Sequence, residues 1–188
     1  MKYLPMIVFF VFSSFSWAQT IESETTANEE VIRVAGDVIQ LALPFAAGLS
    51  TVILGDKKGA WQFVKSFGTA VVLTYGLKYA IDKPRPNSLT VGRAFPSGHT
   101  ATAFSGASFI QRRYGWAYGL PAYALAGFVG YSRLQGNAPV HDRWDVLAGA
   151  VIGIGSTYLF TTPYQKEHYE LGFSSQDDIY LLGFKYTF

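Results

Sequence analysis

The chain contains no cysteine and little charge. With no cysteine among its 188 residues, it has neither disulfides nor thiolate metal sites. Charged residues make up 15% of the sequence and apolar residues 49%, whereas soluble domains usually carry about 25% charged residues. A net charge of +2 does not indicate a nucleic-acid-binding surface. The shortage of charge points instead to a membrane protein. The length of 188 residues fits a single domain.

The N-terminus resembles a targeting segment. Lys2 precedes an apolar run that ends in Ser16-Trp17-Ala18, a small-x-small cleavage pattern. We predict a cleaved signal peptide at residues 1–18. The alternative is an uncleaved first membrane helix. Residues 19–33 are polar and acidic, and they are predicted to form a short exported arm.

Five further apolar segments indicate an all-α integral membrane bundle of about five spans, or six if the N-terminal segment remains. A span needs about 20 apolar residues, with a range of about 17–25, and the second and third segments are shorter. The segments are Val38–Leu54, Ser66–Leu77, Thr100–Gln111, Gly115–Ser132 and Val146–Gln165. They place the membrane domain at 34–165. A buried bundle in a soluble protein is the alternative. The alternating, aromatic tail at 166–188 is consistent with a β-hairpin.

Charge placement orients these spans. Two short connectors carry Lys57-Lys58 and Arg112-Arg113, and basic connectors face the cytoplasm. The two opposite loops, Ile81–His99 and Arg133–Trp144, are basic as well. Positive charge in these outer loops goes against the rule that basic loops face the cytoplasm. We therefore interpret it as part of a functional site and expect the site in these loops.

The outer loops carry the elements of an anion site. Lys78, Arg85 and Arg133 are cations without a matching acidic cluster, and arginine and lysine suit phosphate oxygens. Ser97-Gly98-His99 precedes the third apolar helix, and backbone N–H groups at a helix start bind phosphate. This segment is therefore expected to hold an anion beside an imidazole.

His141 and Asp145 form a second element. Residues at i and i+4 share a helix face, so the carboxylate can orient the imidazole and stabilise its positive charge. With His99, the chain thus offers two histidines for two tasks. One can attack phosphorus and one can protonate the leaving oxygen.

Three ordered motifs resemble those of the type 2 phosphatidic acid phosphatase (PAP2) superfamily, which also includes bacterial acid phosphatases and vanadium haloperoxidases. They are Lys78-x6-Arg85-Pro86, Pro96-Ser97-Gly98-His99 and Ser132-Arg133…His141-x3-Asp145. The third motif has seven residues between its arginine and histidine, where the family usually has five. Gly136, Asn137 and Pro139 predict that the extra residues loop out.

The resemblance implies a role for each matching residue. His141 is expected to be the nucleophile that forms a phosphohistidine, Asp145 its orienting carboxylate, and His99 the general acid. The phosphate oxygens are expected to be held by Lys78, Arg85, Ser97, the Gly98 backbone and Arg133. The family needs no metal or other cofactor.

The resemblance and the membrane character together imply a lipid phosphatase. Its substrate is expected to be undecaprenyl pyrophosphate, phosphatidylglycerophosphate, phosphatidic acid or a lipid A phosphate, with the site on the periplasmic face of the inner membrane. One alternative is an acid phosphatase for water-soluble phosphomonoesters. Another is a non-catalytic membrane protein that binds an anion. Outside the motifs, three basic residues are interpreted as charges of the interface or the substrate rim: Lys83, Arg93 and Arg143. Asp82 and Asp142 are interpreted as solvated, with local assistance to the site as the alternative for Asp142.

Overall fold

The computed structural model describes residues 27–88, 92–136, 139–164, 169–176 and 179–186. Its elements are α1 Ala27–Ile53, α2 Lys57–Ile81, α3 Gly98–Tyr114, α4 Trp116–Leu134, α5 Arg143–Phe160, β1 Tyr169–Gln176 and β2 Ile179–Tyr186. The strands form an antiparallel hairpin in which Tyr169 faces Tyr186. The predicted helical bundle with a β-hairpin tail is therefore confirmed. The predicted signal peptide, residues 1–18, lies outside the described residues.

The helices differ in extent from the apolar segments. α1 begins at Ala27 rather than Val38, so the described part of the predicted polar arm is helical. α2 reaches well beyond Ser66–Leu77 because polar residues at both ends continue the helix, and the Asp56 side chain caps its start. α5 ends at Phe160, so its predicted end at Gln165 was wrong. Pro163 explains this difference, because the residue before a proline disfavours the helical conformation.

α3 is the central helix of the bundle. It buries ten of its 17 residues and shows no large apolar side chain at the surface. The other four helices surround it and expose large apolar side chains outward, such as Val38, Phe45, Val72 and Val151. Among the described residues, α1 is the one helix long and apolar enough to cross a membrane by length and composition alone. An apolar exterior of this kind suits lipid rather than water.

Two glycines of α5 allow its close contact with α3. A Cβ at Gly149 would lie 2.5 Å from the backbone oxygen of Ser97, and one at Gly153 would lie 2.5 Å from that of Ala101. Any larger residue would push the helices apart, because a backbone atom cannot turn aside as a side chain can. The glycines therefore bring the start of α5 against the start of α3, where two of the three motifs lie.

A buried ion pair lies at the other end of the bundle, away from the starts of α3 and α5. The Arg113 guanidinium donates to both carboxylate oxygens of Asp56, each over 2.7 Å, and to the Thr162 backbone oxygen over 2.9 Å. The sequence places Arg113 in a basic connector, but the structure buries it at 1% exposure. Burial alone would raise the pKa of Asp56, but the hydrogen bonds from Arg113 and the Gly59 N–H, together with the charge of Arg113, outweigh it and the pKa is lowered. This pair joins α3 to α2 and to the chain after α5.

Candidate active site

One end of the bundle gathers the three motifs. The end of α2 carries Lys78, and the following loop carries Arg85. α3 starts at Gly98, α4 ends just after Arg133, and α5 starts just after His141. Antiparallel helices bring these ends together although the residues are far apart in the chain.

His141 and Asp145 form the predicted pair. His141 Nδ1 lies 3.3 Å from Asp145 Oδ2, and both side chains are buried. Asp142 caps α5 by accepting from the backbone N–H groups of Trp144 and Asp145. Asp145 in turn accepts from the Asp142 backbone N–H over 3.1 Å, which completes a capping box. The carboxylate that faces the imidazole is therefore held by the helix start itself.

Lys83 is a residue of this cluster that the sequence did not assign. Its Nζ donates to Asp145 Oδ1 over 2.8 Å and also to Asp142. Burial by itself would lower the pKa of Lys83, but its hydrogen bonds to Asp142 and Asp145 raise the pKa. Lys83 was interpreted as an interface or rim charge, but it contacts Asp145 directly. Asp142 was interpreted as solvated, with local assistance as the alternative, and its contact with Lys83 fits the alternative. Lys83 places a positive charge against Asp145, and Asp142 helps to hold Lys83 there.

His141 is held neutral in the absence of a bound anion. Burial lowers its pKa to about 4, and the nearby charges of Lys78 and Arg85 add to this effect. The hydrogen bond to Asp145 acts in the opposite direction. Because Nδ1 faces Asp145, the second ring nitrogen, Nε2, is the one available to carry a lone pair.

The Ser97-Gly98-His99 segment forms the start of α3, as predicted. The Ser97 backbone N–H donates to the Asp145 backbone oxygen over 2.9 Å, which ties the second motif to the third. The Ser97 hydroxyl is buried and accepts from the Thr100 hydroxyl over 3.0 Å. The Lys78 stem lies beside Gly98, because a Cβ on that glycine would be 3.6 Å from Lys78 Cε.

Lys78 and Arg85 bring positive charge to the same place. Lys78 Nζ donates to the Arg93 backbone oxygen over 2.8 Å and interacts electrostatically with both His99 and His141. The buried Nε of Arg85 has no hydrogen-bond partner within the described part of the chain. Burial lowers the pKa of Arg85, while the charge of Asp145 opposes that effect. A buried unpaired donor on a cation is what an anion-binding site needs before its anion arrives.

Arg133 and His99 meet at a carboxylate that the sequence did not identify. Asp37 Oδ1 accepts from Arg133 Nη1 over 2.8 Å and lies 3.2 Å from His99 Nε2. Arg133 also donates to the Arg33 backbone oxygen over 2.8 Å and to the Ser132 hydroxyl over 3.0 Å. The one signal in the sequence was a lone carboxylate in an apolar helix, which marks function in membrane segments.

The two ends of the loop in the third motif lie together, which is consistent with the predicted insertion; residues 137–138 of this loop lie outside the described residues. The His141 backbone N–H donates to the Arg133 backbone oxygen over 3.3 Å, so the loop closes where it begins. Gly136 in this loop has φ +91°, a conformation that favours glycine. The insertion therefore leaves the ends of α4 and α5 side by side.

Two of the unassigned basic residues stay outside this cluster. Arg93 pairs with Asp82 at 3.9 Å and lies over the Tyr79 ring, and Arg143 lies over the Trp144 ring. Their interpretation as rim charges fits these positions. Within the described ranges, no group of three or more histidine and acidic side chains is arranged to hold a metal ion.

The arrangement combines two histidine–carboxylate pairs with the three predicted cations, Lys78, Arg85 and Arg133, while a fourth, Lys83, is paired with Asp145. His141 pairs with Asp145 and His99 with Asp37, and Lys78 interacts with both imidazoles. A neutral imidazole can attack an electrophile, a protonated one can donate to a leaving group, and the cations can hold an anion between them. This combination suits the transfer of a phosphoryl group.

Comparisons with known proteins agree with this chemistry. The model of the PAP2 superfamily matches residues 59–169. The lipid A 4'-phosphatase of Helicobacter pylori strain J99 is 31% identical over 188 aligned positions, which cover 90% of this chain and 92% of that protein. The lipid A 1-phosphatase of Porphyromonas gingivalis is 42% identical over 129 positions, covering 63% of this chain but 28% of that protein. The crystal structure of Aquifex aeolicus LpxE has the same fold, with a TM-score of 0.53 at 23% identity over 74% of this chain and 98% of that one.

Proposed function

This chain belongs to the PAP2 superfamily and is a phosphatase, and we propose that it removes phosphate from a membrane lipid through a phosphohistidine on His141. The observation that carries the proposal is the pairing of two imidazoles with separate carboxylates beside Lys78. Anion binding alone requires no such pairs, so a purely non-catalytic role is disfavoured.

The proposed reaction has two steps. Nε2 of neutral His141 attacks phosphorus, the bond between phosphorus and the ester oxygen breaks, and protonated His99 gives its proton to that oxygen. Asp145 stabilises the positive charge that forms on His141. Water then attacks the phosphohistidine, His99 takes a proton from it, and inorganic phosphate leaves with His141 neutral again.

The cations are proposed to hold the phosphoryl oxygens through both steps. Arg85 presents a buried Nε–H that has no partner among the described residues, and Lys78 supplies a point charge between the imidazoles. Ser97 and the Gly98 backbone N–H lie at the N-terminus of α3, where the helix dipole favours an anion. Arg133 lies near His99, since both side chains contact Asp37. The proposed mechanism uses no metal ion.

A lipid substrate is supported by the apolar exterior of the bundle and by the relatives. Two relatives are named as phosphatases of lipid A, so a lipid A phosphate is our leading candidate among the lipids predicted above. We place the site at the periplasmic face of the inner membrane. The basic connector with Lys57 and Lys58 lies at the opposite end of the bundle from the site. Basic connectors face the cytoplasm, so this position supports a site on the periplasmic side.

The deciding experiment measures phosphate release by detergent-purified protein with EDTA present. The panel contains lipid A, phosphatidic acid, phosphatidylglycerophosphate, undecaprenyl pyrophosphate and one soluble phosphomonoester. We compare wild type with His141→Ala, and with His168→Ala as the same change at the third histidine of the chain. Release from a lipid that His141→Ala abolishes and His168→Ala retains is expected.

Other outcomes would contradict the proposal in distinct ways. Release mainly from the soluble ester would indicate an acid phosphatase. Near-normal activity of His141→Ala would refute a phosphohistidine intermediate on His141. Strong inhibition by EDTA would contradict the metal-free mechanism. Absence of release from the whole panel would leave an anion-binding protein.

A further inference from the structure

Asp37 stands out because it is the only charged residue between Val34 and Ile53 of α1. An ionisable group in an apolar helix is costly, so it needs partners. A single carboxylate oxygen of Asp37 serves two of them, Arg133 Nη1 at 2.8 Å and His99 Nε2 at 3.2 Å. Asp37 thus joins α1 to the general acid of the proposed reaction.

A role limited to holding Arg133 does not account for this geometry. Arg133 already donates to the Arg33 backbone oxygen and to the Ser132 hydroxyl, so its guanidinium is fixed without Asp37. His99, in contrast, forms a hydrogen bond or ion pair with Asp37 alone among the described residues. The orientation of the His99 imidazole therefore depends more on Asp37 than the orientation of the Arg133 guanidinium does.

We propose that Asp37 is the positioning residue of the general acid: it binds Nε2 of His99, favours the protonated imidazole and leaves the other ring nitrogen to protonate the leaving oxygen. This inference rests on the proposed function of His99. In the balanced step, the proton on the free nitrogen moves to the ester oxygen as the bond to phosphorus breaks. His99 is left neutral, with its remaining proton on Nε2 facing Asp37.

The test uses the leaving group, since only a poor leaving group needs a proton. Two phosphate esters with the same alkyl tail are compared, an alkyl phosphate and a nitroaryl phosphate whose phenolate departs unprotonated. Asp37→Asn keeps the shape of the side chain and removes its charge. General acid catalysis contributes about 10²–10⁴-fold, so we expect the ratio of kcat/KM for the alkyl over the aryl ester to fall about 10- to 100-fold.

The ratio isolates the proposed role from folding. Both rates come from one preparation, so the ratio does not depend on how much protein is folded. Glu30→Gln makes the same chemical change at an exposed site of α1 and should leave the ratio unaltered. In a His99→Ala background, Asp37→Asn should no longer change the ratio, because a residue that acts through His99 has nothing left to act on.

Each other result overturns a defined claim. An equal loss on both esters in Asp37→Asn would mean that Asp37 acts only through Arg133 or the fold, and so would a ratio change that persists without His99. Wild-type protein that hydrolyses neither ester would instead refute the proposed function. An active wild type with an unaltered ratio in Asp37→Asn would refute the role of Asp37 alone.

Discussion

Replacing Arg85 with lysine is the sharpest test of the proposed phosphate site. The buried Nε of Arg85 has no hydrogen-bond partner among the described residues, and the Arg85 backbone oxygen accepts from Ser88 N over 3.0 Å, which fixes the turn independently of the side chain. Lysine keeps the charge but loses the fork of donors. A hydrogen bond to a charged group contributes about 1.5–3 kcal/mol. At tenfold for every 1.4 kcal/mol or so, the loss is about 10- to 100-fold in kcat/KM.

The assay pairs activity with stability. Phosphate release and inhibition by inorganic phosphate are measured alongside thermal unfolding in detergent, with Arg93→Lys as the matched change at an exposed arginine. Arg85→Lys should lose activity and phosphate affinity at an unaltered Tm. If activity stayed at the wild-type level, or if Tm fell in step with activity, the guanidinium would have a structural role and the reasoning would be wrong.

Three further predictions concern the rest of the bundle. Histidine NMR of the phosphate-free protein should show His141 neutral at pH 5, because its pKa is lowered to about 4, and titration near its ordinary pKa would contradict the buried site. Asp56→Asn should destabilise the protein to thermal unfolding by about 3–5 kcal/mol because the buried Arg113 guanidinium loses its counter-charge, and adding Arg113→Met should restore most of that loss. Gly149→Ala should cost about 1–3 kcal/mol of stability by overpacking. Gly155→Ala should not, because a Cβ at Gly155 would meet no atom of the described residues within 4 Å. Equal Tm values for the two variants would refute the close contact at Gly149.

Features that depend on neighbours in sequence could be predicted. The His141–Asp145 pair follows from helix periodicity, and the α3 start at Gly98 follows from a serine that can cap a helix. The two-residue excess in the third motif was also interpretable, because glycine and proline favour a loop. Each of these inferences needs only a short stretch of chain.

Contacts between distant segments could not be predicted in the same way. Asp37 meets Arg133 across 96 residues, and Lys83 meets Asp145 across 62. No spacing rule connects such positions, and packing of the helices alone decides which charges face each other. Lys83 also resembled an ordinary interfacial lysine. The roles of Asp37 and Lys83 were therefore recognised only from the fold and could not be read from the motifs.

The backbone hydrogen bond between His141 and Arg133 separates the loop at 134–140 from the positions of the two motif residues that flank it. Because the two ends of the loop are joined by backbone atoms, the number of residues between them does not set the distance between the two motif residues. Related sequences could vary this count while keeping the same chemistry, so a fixed spacing in a motif search would miss true members. The loop is also the natural point at which to insert a reporter beside the site.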